Sequence, residues 1–350
     1  MAYSSITKPA DYFNTKLYSG NSTADTGITG VGFQPDFVWL KQRTGTEYHN
    51  LYDSIRGATK RLVSQRTDAE TTISGLTSFD SDGFTLGAAD TANQSSNTYA
   101  SWNWLAANGT ASNTDGSITS TVSANTTAGF SVVSYTGNLT DGATVGHGLG
   151  VAPDMMIIKN RSATQYWVVY HKDLGGANNH LRLDSNAAKR NDLNMFSSTA
   201  PTSSVFELGN KEQVNGNTNN MIAYCFAEKK GYSKFGSYTG NGNADGTFIY
   251  LGFKPSIIIA KRTDGTDHWT LWDNKRETTM NPNNNVLYPS LSDVESTSDS
   301  SYLCDFTSNG IKWRGTSTGM NASGANYIYM AFAESPLVAN VSGGLPTTAK

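Results

Sequence analysis

Apolar and polar residues alternate along most of this chain, in short runs separated by clusters of Gly, Asn, Ser and Asp. A period of two, enriched in Val, Ile, Tyr, Phe and Trp, predicts strands whose side chains point alternately to two faces. Asp-Gly and Asn-Gly pairs at 82–83, 141–142, 241–242 and 309–310 predict tight turns with positive φ. No long stretch keeps a 3.6-residue period, and only a short helical turn near 53–62 is expected. The fold class that follows is all-β, built of sandwich or jelly-roll units.

The pattern repeats. Tyr-Ser/Thr-Gly-Asn occurs at Tyr18, Tyr135 and Tyr238; each copy continues through a polar stretch to Pro35, Pro153 or Pro255, then an apolar strand ending at Lys41, Lys159 or Lys261. Twelve residues beyond each lysine stand Asp53, His171 and Asp273, each preceded by an aromatic. Each copy closes on an aromatic strand: YASWNWLA from Tyr99, MIAYCFAE from Met221 and YIYMAFAE from Tyr327. Three blocks in one order predict tandem repeats, each long enough to bury a core. The boundaries are an N-terminal segment 1–11, a first sandwich 12–110, a Ser/Thr/Asn-rich linker 111–129, a second sandwich 130–230, a third 231–334 and a tail 335–350.

Alternation sorts the aromatics. Ala100, Trp102 and Trp104 share one face of their strand, matched by Ile222, Tyr224 and Phe226 and by Ile328, Met330 and Phe332, so the two tryptophans belong to a core. Ser101 and Asn103 then face solvent. Along the middle strand Leu51, Val169 and Leu271 point inward. Tyr48 and Tyr52, Tyr166 and Tyr170, and Trp272 fall on the opposite face, beside Asn50 and Thr270. These five aromatics are the candidate binding residues: they stack on sugar rings, meet another subunit, or pack beneath a neighbouring loop or sheet.

Composition narrows the chemistry. Net charge is −3 and only 16% of residues are charged, leaving no cationic excess for nucleic acid. No run of apolar residues is long enough for a membrane helix, and the start has no signal-peptide pattern. Cys225 and Cys304 are the two cysteines and are read as reduced thiols. No metal-ligand spacing, nucleophile elbow or phosphate loop occurs, so no cofactor, metal or catalytic residue is assigned. Asp80-Ser81-Asp82-Gly83 is read as a turn rather than a calcium loop. The three lysines end apolar strands and are read as buried stems with ammonium groups in water. Asp53 and Asp273 have His171 as their counterpart, so no carboxylate pair of the glycosidase kind repeats.

ITKPADYFNTKLYSGN from Ile6, GFQPDFVWLKQRTGTEYHNLYDSIRGATKRL from Gly32 and SFDSDGFTLG from Ser78 resemble a repeated β-domain of predicted virion proteins in tailed phages, especially phages of marine bacteria. The resemblance covers the first repeat closely and the others through the Gly-x-x-Pro strand motif. It implies a virion structural protein, tail-associated and fibre-like, binding other virion proteins and host-surface glycan, and homo-oligomeric. A capsid decoration protein is the alternative, and a polysaccharide depolymerase a third. Three repeats in one chain equally allow a pseudo-threefold body.

Overall fold

The computed structural model describes residues 4, 6–277 and 281–337. It is all-β, with antiparallel pairing in every sheet. Twelve strands carry the frame: β1 (Phe13–Ser19), β2 (Phe37–Gln42), β3 (Asn50–Asp53), β4 (Thr98–Trp104), β5 (Phe130–Thr136), β6 (Met155–Asn160), β7 (Val168–His171), β8 (Asn220–Phe226), β9 (Ser233–Thr239), β10 (Phe253–Arg262), β11 (Thr270–Asp273) and β12 (Asn326–Pro336). One neighbour order recurs in three inner sheets: β1-β4-β2-β3, β5-β8-β6-β7 and β9-β12-β10-β11. The first sheet extends past β3 by Lys60–Val63 and Thr71–Thr72. The second extends past β7 by Asn179–Arg182 and Arg190–Asn191.

A smaller outer sheet covers each inner one. It is formed by Thr26–Thr29, Gly83–Leu86 and Leu76–Asp80 over the first, and by Ala143–Gly146 with Val205–Leu208 over the second. Over the third lie Phe248–Tyr250, Gly310–Trp313 and Cys304–Thr307. Alternation along each inner strand therefore feeds two cores. Phe37 and Trp39, Met155 and Ile157, and Ile257 and Ile259 enter one central core, joined by Ala100, Trp102 and Trp104 and by their predicted counterparts in β8 and β12. Val38 and Leu40, Met156 and Ile158, and Ile258 and Ala260 face away, into three separate outer cores beneath the small sheets. The central core draws on all three inner sheets at once, so no one of them closes its own inner face.

The Tyr-Ser/Thr-Gly-Asn motif is a latch. The hydroxyls of Tyr18, Tyr135 and Tyr238 donate to the carbonyls of Ala92, Val214 and Met320 at 2.8, 2.6 and 2.7 Å. The backbone N–H groups of Asn21, Asn138 and Asn241 donate to Oδ1 of Asn93, Asn215 and Asn321 at 2.9, 2.9 and 3.0 Å. Those amides are fully buried, and each Nδ2 in turn donates to Gly87, Gly209 or Gly315. The glycine between has no room for a side chain: a Cβ on Gly20, Gly137 or Gly240 would sit 2.2–2.4 Å from a backbone oxygen.

Several sequence expectations change. The segment 111–129 is no linker: Ala111–Asn113 and Ser120–Asn125 are strands added to the second inner sheet along β5. Ser335 and Pro336 are not a free tail but the end of β12, paired with Lys254 and Phe253; residues 338–350 of that tail lie outside the described residues, as do 1–3 and 5 of the N-terminal segment. Residues 54–56 form a turn, capped by the Asp53 carboxylate accepting from the Arg56 N–H, before the strand at Lys60–Val63. Ser101 and Asn103 are fully buried, because the opposite face of β4 is covered too. Cys225 and Cys304 are both buried, in different outer cores.

Candidate functional site

The five predicted aromatics divide by what covers them. Tyr52 and Trp272 are fully buried and Tyr170 is 6% exposed, each inside an outer core beneath a small sheet. They face away from the central core, and an apolar second layer lies on that face, so of the three alternatives these residues take packing beneath a second sheet rather than an open ligand surface. Trp272 donates from Nε1 to Tyr302 and packs on Trp313 with ring centroids 5.0 Å apart. Burial raises the Tyr52 hydroxyl well above its ordinary range. Tyr48 and Tyr166 stay half-buried at the lysine ends of the sheets. Arg66 donates to the Tyr48 hydroxyl at 2.8 Å, and the Arg182 guanidinium lies 3.5 Å from the Tyr166 ring centroid. A cleft of about 180 Å³ borders Tyr48, with Arg61, Arg66, Asp68 and Thr71 on its walls.

The lysines correct a second expectation. Lys41, Lys159 and Lys261 are buried to their ends. Lys41 donates to Gln42 and Gly45; Lys159 donates to Asn160, Gln165 and Thr67; Lys261 donates to Arg262 and Asn186. Burial pulls each ammonium down to about 8. Thr67 and Asn186 belong to the neighbouring sheet group, so Lys159 and Lys261 clamp one group to the next, whereas Lys41 stays within its own.

The titratable groups largely serve such junctions. At the first–second junction Asp53 and Arg56, both fully buried, form an ion pair. The Tyr224 hydroxyl, from the second group, donates to Asp53 at 2.7 Å. Arg56 also reaches Glu70 at 3.1 Å, and Arg161 grips Glu70 with two hydrogen bonds of 2.9 and 3.0 Å. Burial works against the Arg56 charge but is outweighed by Asp53, Tyr224 and Glu70, which hold its pKa above the ordinary value.

The third–first junction repeats this design. Arg276 pairs with Asp273 at 2.5 Å and with Glu295; Trp102 Nε1 donates to Asp273 at 3.0 Å, and Arg43 donates to Glu295 at 2.8 Å. The second–third junction carries none of these charges. His171 replaces the aspartate, Leu174 the arginine and Met330 the polar ring, and His171 Nε2 lies 3.2 Å from the Tyr329 carbonyl. Burial holds His171 down to about 4, so it is neutral. A backbone bond of 2.9 Å marks the same place three times: Glu70 N–H to Arg161, Lys189 N–H to Thr263 and Glu295 N–H to Arg43. First contacts second, second contacts third, and third contacts first.

Sequence reasoning missed these junctions because the groups that meet across them, such as Asp53 and Tyr224, lie far apart in the chain. One signal was present: Asp53–Arg56 and Asp273–Arg276 share a three-residue spacing that His171–Leu174 breaks. The faint calcium-like loop is a hairpin turn whose Asp82 carboxylate accepts from Gly30 and Gly32 at 2.9 and 2.7 Å. Among the described residues no three His, Cys, Asp or Glu side chains gather into a metal-sized cluster, and no helix is long and apolar enough to cross a membrane.

A family model described as a domain of unknown function matches residues 8–336, a span that takes in all three inner sheets. No curated protein and no solved structure matches the chain.

Proposed function

The chain belongs to the DUF7483 family, and we propose that it is a structural component of a tailed-phage particle, tail-associated and acting by surface contact rather than by catalysis, a reading that starts from the resemblance of its first repeat to phage virion domains. The observation that carries this is the use made of its charged residues. The side chains of Asp53, Arg56, Asp273 and Arg276 are fully buried, and all four are engaged in holding sheet groups together. On this reading the chain is three sandwich repeats, each an inner and an outer sheet, closed into a pseudo-threefold body within one polypeptide. Self-association would then use outer faces, since the junctions are already occupied. Contact with host-surface glycan rests on Tyr48 and Tyr166, the predicted aromatics that keep exposed surface.

The cyclic closure favours a compact knob over an extended rod, which supports capsid decoration as a second reading. Copy number separates the two. Staining of purified particles beside the major capsid protein should give a handful to tens of copies for a tail part, and hundreds would assign the shell. Absence of the chain from purified particles, or measured turnover of a polysaccharide by the purified protein, would defeat both.

A further inference from the structure

Of the three equivalent sheet edges, that of β5 is covered by a further strand, whereas, among the described residues, those of β1 and β9 are not. β5 and β9 each pair with the closing aromatic strand of their sheet, through Tyr135↔Met221 and Tyr238↔Tyr327. The outer edge of β5 is covered by the chain's own Ser120–Asn125, which runs antiparallel to it from Ser120↔Tyr135 to Asn125↔Phe130. That added strand also ties the second sheet group to the first: Ser123 Oγ accepts from the Ala107 N–H at 3.0 Å, and Asn125 donates to Ala106 at 3.2 Å.

The outer edge of β9 has no such strand among the described residues. A groove of about 530 Å³ runs there instead, between Lys172, Asp173 and Glu228 of the second group and Ser237 of β9, and a second cleft of about 180 Å³ continues it past Ser237. Phe248 and Tyr250, 43% and 51% exposed, stand on its lip.

Backbone parity shows what the edge offers. Gly240 N–H donates to Ala325 and Ala333 N–H donates to Tyr232, so the even-numbered residues of this stretch bond toward β12. N–H and C=O of one residue point the same way in an antiparallel strand, so those of Phe235 and Ser237 point into the groove. An unpaired, straight edge beside exposed aromatics is a template for another strand.

We propose that the β9 edge is a strand-addition site for an extended segment of another polypeptide. The chain itself shows the chemistry that fits: Ser-Thr-Val-Ser-Ala-Asn, small and hydroxyl-bearing side chains with one β-branched apolar residue and no charge, occupies the equivalent edge on β5. The groove walls carry Lys172 and Lys234 against Asp173 and Glu228, a balanced set that favours an uncharged segment over a polyanion.

The test uses the full chain and a fluorescent peptide of the sequence ITSTVSANT, read by anisotropy. Saturable binding is expected, with at least about a tenfold loss in Ser237→Pro, because proline removes an outward N–H. The fold should tolerate that change, since proline is accommodated on edge strands and Ser237 is exposed, so the thermal midpoint serves as the control. A second probe alters only the peptide: N-methylation of alternate amides should abolish binding in one parity and spare it in the other. No saturable binding, equal affinity for Ser237→Pro, or equal affinity for both methylated peptides would overturn the proposal. Binding that appears only after removal of residues 338–350 would assign the edge to the chain's own tail, and overturn it too.

Discussion

The first–second and second–third junctions hold the same backbone arrangement by opposite chemistry. At the first, Asp53, Arg56, Glu70, Arg161 and the Tyr224 hydroxyl form one connected polar set. At the second, the corresponding places hold His171, Leu174, Lys189, Thr263 and Met330: the buried ion pair is gone, Lys189 is exposed, and the buried Lys261 meets carbonyl oxygens instead of a carboxylate. The substitutions come as a group. A buried arginine without its carboxylate, or the reverse, leaves an uncompensated charge costing several kcal/mol, whereas exchange of the entire set for apolar and neutral groups is near neutral. The comparison teaches that a buried ionic junction here is a unit of design: present complete or absent complete.

That contrast can be broken. The largest effect is expected from Arg276→Leu, which strands Asp273 beside Trp102 and leaves Glu295 with Arg43 alone; denaturant unfolding should show a loss of about 3–5 kcal/mol. Adding Asp273→His, to copy the neutral junction, should return part of it. A loss below about 1 kcal/mol for the single variant would show that the charges contribute little.

Acid should act on the buried histidines, among them His171 at the neutral junction, along with His49 and His180. His171 stays unprotonated in the fold down to about 4, held there by burial against the opposing effects of Asp173, the Tyr329 carbonyl and Asp154, with Lys172 adding to the depression. The unfolded chain takes up the proton near 6.5. The folded value is the lower one, so this stability is complete above about pH 6.5 and is lost as pH falls toward 4, by on the order of 3 kcal/mol. His171→Gln should flatten that slope in stability measured across this window, and an unchanged slope would remove His171 as its cause.

The smallest effect tests the surface. Arg66 and Asp68 are each about half exposed and pair at 2.5 Å, so Asp68→Asn should change stability by less than about 1 kcal/mol. A larger loss would mean that the Tyr48 cleft contributes to the junction beside it.

What could be read from the chain followed the reach of each signal. The face shared by Ala100, Trp102 and Trp104 is legible because alternation is local, and all three residues enter the central core with their counterparts. What covers the other face is not local: the same alternation places Tyr52 and Trp272 opposite that core without revealing the small sheets above them. The lysine ends were misjudged for a related reason. A strand terminus normally meets water, but here Thr67 and Asn186 from the neighbouring group close over it. Glu70 and Arg161 stand 91 residues apart, and nothing in the spacing of either announces the other.

The order of the chain gives the three junctions unequal mechanical standing. The polypeptide passes covalently from the first group to the second and from the second to the third, but no peptide bond runs from the third back to the first. Arg276, Glu295 and Arg43, with the Ser64 hydroxyl donating to Pro289 at 2.6 Å, fasten the one gap that the backbone leaves open. A force that peels the molecule apart, or a protease that waits for it to breathe, meets that clasp before anything else.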